Sequence, residues 1–406
     1  MSQQLNFKKI AGGVTAPQGF LAAGVIAGAR RKGRRDLALL YSDALSAAAA
    51  VYTQNQVKAA PVLVTREHLG GGWAQAIVVN SGIANACTGE RGLSDARKMA
   101  ELAGDALKIS AERVLVASTG VIGEFLPMGS IESGIKDAAA LISPQGGADA
   151  AEAILTTDTA TKEFAAELVL NGKRVVIGGM AKGSGMIHPN MATMLAFLTT
   201  DAHVERQALD LALRWAVDRS FNAITVDGDT STNDMAVILA NGQAGDIPLS
   251  ETDAEFVLFR EALLAVCTEL AKMIARDGEG ASKFLEVVVK GAACEEDART
   301  IARSIAGSNL VKTAITGEDA NWGRVLSAAG ACGVPFDPNL ADVYLGDLRA
   351  AAEGRGIPFD EERASAILRQ RDVIITVDLH QGGAAGRAWG CDLTPDYISI
   401  NANYRT

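Results

Sequence analysis

The chain has 406 residues, of which 48% are hydrophobic and 21% charged, a balance that is typical of globular proteins and not of disordered chains. The net charge of −10 argues against a nucleic-acid partner, because phosphate binding needs a basic face. The one dense basic cluster, RRKGRR at residues 30–35, is better interpreted as a solvated turn, since no aromatic residues interleave it.

Neither a targeting segment nor a covalent framework is indicated. Residues 1–9 are polar, and the longest apolar stretch, residues 20–29, is too short to span a bilayer, so we expect a cytoplasmic protein without a membrane partner. The five cysteines are scattered without a CxxC pair, which favours a reducing compartment over a disulfide framework. The four histidines are equally dispersed, so we expect no metal site.

Helices and strands alternate along the chain, with no internal repeat and no low-complexity linker. The apolar spacing predicts amphipathic helices over residues 94–109, with Ser94 as N-cap, and over residues 205–219 and 253–276. Short β-branched runs bounded by Gly, Asn or Asp predict strands over residues 112–117, 164–170, 173–178, 223–226, 235–240, 284–289 and 372–379.

A second helix–strand series begins after residue 291. It consists of a predicted helix over residues 294–304 and a predicted strand over residues 310–316. The whole pattern predicts an α/β or α+β fold with helices packed on sheets. We expect a catalytic domain over residues 1–290 and a smaller C-terminal α/β domain over residues 291–406.

Thr193 stands at the junction of two contrasting halves of the segment KGSGMIHPNMATMLAFLTTD, residues 182–201. Residues 182–190 contain glycines and a Pro-Asn pair, which are typical of an irregular loop. Residues 193–200 are an apolar run that predicts a buried strand. A fold can present one hydroxyl at such a junction while excluding water, although strand propensity alone also explains a threonine there.

The hydroxyl of Thr193 needs a base before it can act as a nucleophile. His188 is the only nearby histidine, and no Ser-His-Asp set is apparent. If the peptide bond between Ala192 and Thr193 is broken, the freed α-amino group, with a reference pKa of about 8, can take the proton of the adjacent hydroxyl. Attack of the Thr193 hydroxyl on the Ala192 carbonyl, an N-to-O shift and hydrolysis would make this cut.

Two other motifs fail as ligand sites. The run DGDTSTND, residues 227–234, has the oxygen density of a calcium loop, but its twelfth position is Ile238 and not Glu, so we interpret it as a structural turn. The glycines at residues 178–179 and 183–185 form neither a Walker A motif nor a dinucleotide fingerprint.

The segment around Thr193 resembles the self-processing site of the ornithine acetyltransferase family, also called the bifunctional glutamate N-acetyltransferase family. The resemblance covers nearly the whole chain, because further family motifs follow in the same order. They are GF (19–20), AAG (22–24), NSGIANACTG (80–89), STGVIG (118–123), TTDT (156–159), DGDTSTND (227–234), DGEG (277–280), NWGR (321–324) and INANYRT (400–406).

The resemblance implies a layered αββα-like sandwich of the self-cleaving type, shared with β-aminopeptidases, with a smaller C-terminal domain. It implies autocatalytic cleavage between Ala192 and Thr193, which gives an α chain of residues 1–192 and a β chain of residues 193–406. These chains are expected to assemble into at least an α2β2 heterotetramer, and the exact oligomer size is left open.

The resemblance also implies the residues of the site. Thr193 would be the nucleophile, and Thr119 and Gly120 would form the oxyanion hole. The implied substrate contacts are Thr156, Lys182, Thr193, Glu279, Asn401 and Thr406. Whether Thr156 or Thr157 points inward is left open.

The implied reaction moves the acetyl group of N2-acetyl-L-ornithine to Thr193 and then to L-glutamate, in arginine biosynthesis and without a cofactor. Whether acetyl-CoA also serves as a donor, which would make the enzyme multifunctional, is left open. One alternative is an N-terminal-nucleophile amidohydrolase or aminopeptidase on the same fold. The other is an uncleaved amino-acid-binding protein in which Thr193 is structural.

Overall fold

The computed structural model describes residues 7–29, 33–188, 194–245 and 247–403. The chain divides into two compact units. The first unit comprises Met1–Gly183, Asn190–Ser220 and Thr230–Leu270, and the second comprises Ser184–Pro189, Phe221–Asp229 and Ala271–Thr406. None of the described helices is long and apolar enough to cross a membrane.

The helices of the described residues are α1 Ala60–His68, α2 Gly89–Leu107, α3 Met128–Leu141, α4 Gly147–Ala153, α5 Arg206–Arg219, α6 Phe256–Arg276, α7 Glu295–Gly307, α8 Asn309–Thr316, α9 Trp322–Gly330, α10 Glu361–Leu368 and α11 Pro395–Ala402. The strands are β1 Phe7–Ile10, β2 Phe20–Val25, β3 Leu37–Tyr52, β4 Trp73–Ile83, β5 Val114–Val121, β6 Lys162–Leu170, β7 Lys173–Lys182, β8 Leu195–Thr200, β9 Met235–Ala240, β10 Phe284–Ala292, β11 Asp342–Leu345, β12 Leu348–Ala352, β13 Arg355–Gly356, β14 Asp372–Asp378 and β15 Ala384–Cys391.

One sheet organises the first unit. Its described strands follow the order β1-β6-β7-β8-β9-β3-β4-β5, and β2 pairs with β3. The long strand β3 joins two parts of this sheet: its first half pairs with β2 and β4, and its second half, after an irregularity between Tyr41 and Ser46, pairs with β9. The pairs β8–β9 and β4–β5 are parallel.

Two cores give the first unit its layers, because successive residues of a strand face opposite sides. On one side, Leu37 and Val78 pack with Met99 of α2 and Ile131 of α3. On the other, Ile77 and Leu115 share a core with strands from the far part of the sheet, represented by Met180, Phe197 and Val237.

Helices also cover the outer face of the far strands. A Cβ atom added at Gly179 would lie 2.7 Å from Leu198 and 2.8 Å from Leu270 of α6, on the side opposite Met180. The layers are therefore helix, strands, strands and helix, and the mixed α/β sandwich that the sequence predicts is confirmed.

The second unit is built on a smaller sheet of order β13-β12-β11-β14-β10-β15. The pair β10–β14 is parallel, whereas β10–β15 and β11–β14 are antiparallel. Its core contains Val287 and Ile375 from the sheet and Ile301, Ile305 and Val325 from α7 and α9.

The compact units divide at another position in the sequence than the domain boundary expected after residue 290, which stays a prediction. A division between residues 290 and 291 would fall inside β10, whose pairing with β14 continues to Lys290, and the compact units divide between Leu270 and Ala271 instead. The sequence gives no linker there, because the division falls inside the amphipathic helix α6.

Two predicted strands are wrong. Residues 310–316 lie in helix α8, because the Ser308 hydroxyl caps Val311 N–H and the apolar residues Val311, Ala314 and Ile315 are buried at helical spacing. Residues 223–226 contribute only an isolated bridge between Ile224 and Trp389.

The helix predicted over residues 94–109 begins earlier than expected. Helix α2 starts at Gly89, so Ser94 is inside it and is not an N-cap. The Asn85 side chain donates a hydrogen bond to Gly92 O at 2.9 Å and accepts one from Thr88 Oγ1 at 2.7 Å, which fixes the chain just before the helix.

Candidate active site

Thr119 and Gly120 lie at the carboxyl end of β5, beside the carboxyl end of the parallel strand β4. Thr119 is in register with Ser81, and Gly120 with Gly82. Gly120 has φ +131°, and a Cβ atom there would lie 2.2 Å from the carbonyl carbon of Gly82. Only glycine allows this approach of the two strand ends, so the backbone at this point is narrowly defined.

Asn233 fixes the same strand ends through its amide group. Its Nδ2 atom donates to Ser118 O at 2.8 Å and to Ala84 O at 2.6 Å. The Ser118 hydroxyl in turn donates to Asn80 Oδ1 at 2.6 Å. Asn233 belongs to the DGDTSTND run, whose sequence predicts a structural turn near the site but not this contact with the residue before Thr119.

Lys182 forms hydrogen bonds with two residues, Thr156 and Thr119, that are distant from it in the sequence. It ends β7 and is buried, and its Nζ donates to Thr156 Oγ1 at 2.8 Å and to Thr119 Oγ1 at 3.2 Å. Thr156, one of the two threonines left open, therefore contacts Lys182. Because the Thr119 hydroxyl accepts from Lys182, its own proton is available to another acceptor.

Asp158 lies next to Lys182, and its side chain is fully buried. Its Oδ1 accepts from Lys162 Nζ at 2.7 Å and from Gly183 N at 2.6 Å, and its Oδ2 accepts from Thr156 N at 3.0 Å. Burial alone would raise the pKa of this carboxyl, but the charges of Lys182 and Lys162 and these hydrogen bonds outweigh it and lower the pKa. Asp158 is therefore ionised. The sequence analysis noted the TTDT run but assigned no role to Asp158 or Lys162.

Asp234 is a second buried carboxyl group close to the beginning of β8. Within the described residues neither of its oxygens has a hydrogen bond of normal geometry, although the Met194 N–H and Ser231 lie close to them. Burial raises its pKa well above the ordinary value, and the Met194 N–H, the Lys182 charge and Ser231 only partly oppose this. A carboxyl group in this environment favours its protonated form.

Met194 is fixed beside this carboxyl group. Its carbonyl oxygen accepts a hydrogen bond from Met235 N at 3.1 Å, and β8 continues from Leu195 between β7 and β9. Ala192 and Thr193, the predicted cleavage site, lie outside the described residues, as does Thr406.

Glu279 and Asn401 meet within the second unit. Asn401 Nδ2, on α11, donates to Glu279 Oε2 at 2.8 Å, and Glu279 N donates to Ser184 O at 2.8 Å. A Cβ atom at Gly185 would lie 2.4 Å from the Glu279 carboxyl carbon, so the glycine makes room for the carboxylate. The two predicted substrate contacts are thus brought together.

Asp227 holds the same loop in the second unit. Its carboxylate accepts from the N–H groups of Met186 and Ile187, at 2.5 and 2.8 Å, and from the Tyr397 hydroxyl at 3.2 Å. Burial raises the pKa of the Asp227 carboxyl, and these hydrogen bonds oppose that rise. The first half of the DGDTSTND run therefore does have a positioning role, as its interpretation as a structural turn suggests.

No group of three or more His, Cys, Asp or Glu side chains in the described part of the chain could hold a metal ion. The polar groups at the end of β5 and β7 are instead hydroxyls, an ammonium group and backbone N–H groups. Such a set suits the binding of an anionic group and the stabilisation of negative charge that develops on an oxygen.

Comparison with known proteins decides the family, because the ArgJ family model matches residues 21–406. The chain belongs to the ArgJ family. The arginine biosynthesis bifunctional protein ArgJ of Symbiobacterium thermophilum is 59% identical over 399 residues, which is 98% of this chain and 99% of that one. The protein of the same name from Caldanaerobacter subterraneus subsp. tengcongensis is 50% identical, over 97% of this chain and 99% of its own.

Among solved structures, an ornithine acetyltransferase from Mycobacterium tuberculosis, crystallised with ornithine, is also similar. It is 42% identical with a TM-score of 0.43, and the match covers 45% of this chain and 98% of that one. The resemblance found in the sequence motifs is confirmed by the ArgJ family match and by the identity to full-length relatives.

Proposed function

We propose that this protein is a glutamate N-acetyltransferase of arginine biosynthesis, which moves the acetyl group of N2-acetyl-L-ornithine to L-glutamate. The observation that carries the proposal is the match to ArgJ arginine biosynthesis proteins along almost the whole chain. The buried Lys182 ammonium group supports it, because both amino acids have an α-carboxylate that a cation can bind.

The nucleophile in this proposal is Thr193, freed by autocatalytic cleavage after Ala192. The Thr193 α-amine takes the hydroxyl proton, Oγ1 bonds to the acetyl carbon, and the bond to the ornithine nitrogen breaks as that nitrogen gains the proton. The amine of glutamate then attacks the acetyl ester and restores the Thr193 hydroxyl. Met194, the next residue in the sequence, leads directly into β8, which pairs with β7 on one side and β9 on the other, and this supports the role of a residue at this point of the chain.

Thr119 and Gly120 serve as the oxyanion hole. The Thr119 hydroxyl, which accepts from Lys182, keeps its proton for the oxyanion, and the strained backbone of Gly120 presents its N–H in one direction. Lys182 and Thr156 bind the substrate carboxylate, and Glu279, Asn401 and Thr406 remain predicted contacts of the amino-acid substrate.

One pocket takes two amino acids in turn, so the reaction follows ping-pong kinetics without a cofactor. The mature enzyme is a cytoplasmic α2β2 heterotetramer. Native mass spectrometry should therefore find about twice the 42.2 kDa of one chain, made up of two copies of each fragment.

The first test compares acetyl transfer with hydrolysis. Purified protein is incubated with N2-acetyl-L-ornithine, with and without glutamate, and N-acetylglutamate, acetate and ornithine are measured. We expect N-acetylglutamate to form in step with ornithine. Acetate as the main product, whether or not glutamate is present, would show an amidohydrolase instead.

The second test concerns Thr193. Thr193→Ala should remain one full-length chain on denaturing electrophoresis and transfer no acetyl group, whereas Thr193→Ser keeps a hydroxyl and should retain some cleavage. Active wild-type protein without a new N-terminal threonine would contradict the proposal. A third assay, with acetyl-CoA and glutamate but no acetylornithine, decides whether the enzyme also accepts acetyl-CoA.

A further inference from the structure

We propose that Lys162 determines the preference of the enzyme for substrates with a free α-carboxylate, by compensating the negative charge of Asp158, which would otherwise be compensated by Lys182 alone. This inference rests on the proposed function, in which Lys182 binds that carboxylate. Lys162 is thus a positioning residue: it does not bind the substrate itself but acts through Asp158 on Lys182.

The distances support an unequal sharing of Asp158 between the two lysines. Lys162 Nζ lies 2.7 Å from Asp158 Oδ1, with side-chain exposures of 1% and 0%. Lys182 Nζ lies 3.9 Å from Asp158 Oδ2, and its side chain is 6% exposed. Lys162 therefore forms the hydrogen-bonded ion pair, whereas Lys182 makes a longer ion pair with Asp158 and donates hydrogen bonds to the Thr156 and Thr119 hydroxyls.

Asp158 is held in place independently of Lys162. The backbone N–H groups of Gly183 and Thr156 donate to its two oxygens at 2.6 and 3.0 Å. If the Lys162 ammonium were removed, the carboxylate would remain where it is, and Lys182 would become the described ammonium group nearest to it. In a buried site this attraction is strong, so Lys182 would turn from the hydroxyls toward Asp158.

The loss of the Lys162 charge would change the recognition of one substrate group, the α-carboxylate. A Lys182 that is neutralised by Asp158 attracts an α-carboxylate less, whereas the acetyl group and the ornithine side chain are unaffected. Asp234, the other buried carboxyl group near Lys182, favours its protonated form and does not provide this neutralisation. The charge that Lys162 supplies thus decides whether the site distinguishes a carboxylate from a neutral group.

The experiment measures kcat/KM for N2-acetyl-L-ornithine and for its α-carboxamide, and uses the ratio of the two values. Lys162→Met removes the ammonium group and keeps a long apolar side chain. We expect the ratio to fall about tenfold, which is the size of the loss expected when one charge-assisted interaction is weakened. Intact mass confirms that wild type and variant are compared in the same state of cleavage.

The matched control is the double variant Lys162→Met with Asp158→Asn. It removes one positive and one negative charge, so the net charge around Lys182 equals that of the wild type and the ratio should return to the wild-type value. A purely structural role of the ion pair predicts that both substrates lose activity equally, and an effect unrelated to charge predicts that the ratio stays low in the double variant. Either result would overturn the proposal.

If Lys162→Met does not fold, the double variant is compared directly with the wild type. Replacing a buried ion pair by a neutral pair is often tolerated. The proposal then requires equal ratios, and a ratio tenfold below the wild type contradicts it. Failure of the proposed function would be visible separately, because the wild-type protein would then release acetate instead of forming N-acetylglutamate, and the ratio can still be measured on that reaction.

Discussion

The hydroxyl of Thr119 links the buried lysine to the proposed oxyanion hole. It accepts from Lys182 at 3.2 Å, and Thr119 is 8% exposed at the end of β5. A residue that stabilises the oxyanion affects kcat, whereas a residue that only binds the substrate carboxylate affects KM. The two roles are separable by experiment.

Thr119→Val keeps the shape of the side chain and removes the hydroxyl. We expect kcat for acetyl transfer to fall by about 10²–10³, with little change in KM, because one oxyanion donor is lost. Thr119→Ser is the control and should keep most of the activity. Steady-state kinetics decides: an unchanged kcat with a raised KM would assign Thr119 to substrate binding alone.

Asp234 makes stability depend on pH. Its pKa is raised in the folded protein, whereas in the unfolded chain it is near the ordinary value of about 3.9. Below that value the group is protonated in both states and contributes no pH dependence to the stability. As the pH rises above it, the unfolded chain loses the proton while the folded chain keeps it, so the free energy of unfolding falls.

Asp234→Asn removes this titration. In a Thr193→Ala background, where both chains are uncleaved, we expect the variant to gain about 1–3 kcal/mol over its parent near neutral pH and little at pH 4. Denaturant unfolding at several pH values measures the difference. A difference that does not change with pH would show that Asp234 is ionised in the folded chain or that it has a partner.

Single residues were predictable from the sequence where they belong to a family motif. Lys182, Thr156 and Thr119 were selected in this way, and the structure shows that Lys182 contacts both threonines. Asp158 and Lys162 were not selected, because the contact of Asp158 with Lys182 and Gly183 depends on how the loop before β6 packs against the end of β7. Spacing along the chain does not report that packing.

Helix α3 contains two glycines in opposite environments, which gives an element-level test of the packing. A Cβ atom at Gly134 would lie 2.5 Å from Ala27 Cβ and 3.3 Å from Leu37 Cδ1, whereas one at Gly129 would meet nothing within 4 Å. Gly134 is therefore where the helix approaches the sheet, and Gly129 is exposed.

Gly134→Ala should destabilise the protein by about 1–3 kcal/mol through overpacking. Gly129→Ala, in the same helix, should instead be neutral or stabilising by up to about 1 kcal/mol, because alanine is the better helix former. Thermal or denaturant unfolding of the two variants compares them directly. If both were stabilising, α3 would not pack on the sheet as described.

Elements were predictable where local patterns are strong. The predicted strand over residues 235–240 coincides with β9, and the predicted helix over residues 205–219 differs from α5 by one residue. Residues 310–316 were predicted to form a strand because they are rich in β-branched residues. The N-cap at Ser308 and the burial of one helical face stabilise a helix there instead. Capping and tertiary packing outweighed propensity there.

At the scale of the whole molecule, the order of strands was not predictable. Strands β8 and β9 lie between β7 and β3 although they follow both in the sequence. Pairings of this kind join residues far apart in the chain, such as Ala47 and Ala240. The periodicity of a strand does not indicate which other strand pairs with it. For the same reason, the sequence did not indicate the division between the two compact units inside α6.

This strand order predicts that the proposed cleavage products cannot separate while folded. The strands β1–β7 belong to the fragment of residues 1–192, and β8 and β9 belong to the fragment of residues 193–406, so the second fragment fills the middle of the sheet. Phe197 and Val237 also share a core with Ile77 and Leu115. Removing β8 and β9 would leave two sheet edges and this core exposed to water.

We therefore expect both fragments to co-elute on size exclusion in native buffer, at the volume of the uncleaved Thr193→Ala protein, and to separate only in concentrated guanidinium. Residues 1–192 expressed alone should aggregate or stay unfolded, and should recover native circular dichroism only when refolded together with residues 193–406. A soluble fragment 1–192 with native-like secondary structure would show that β7 and β3 do not need the strands between them, and would contradict the sheet order.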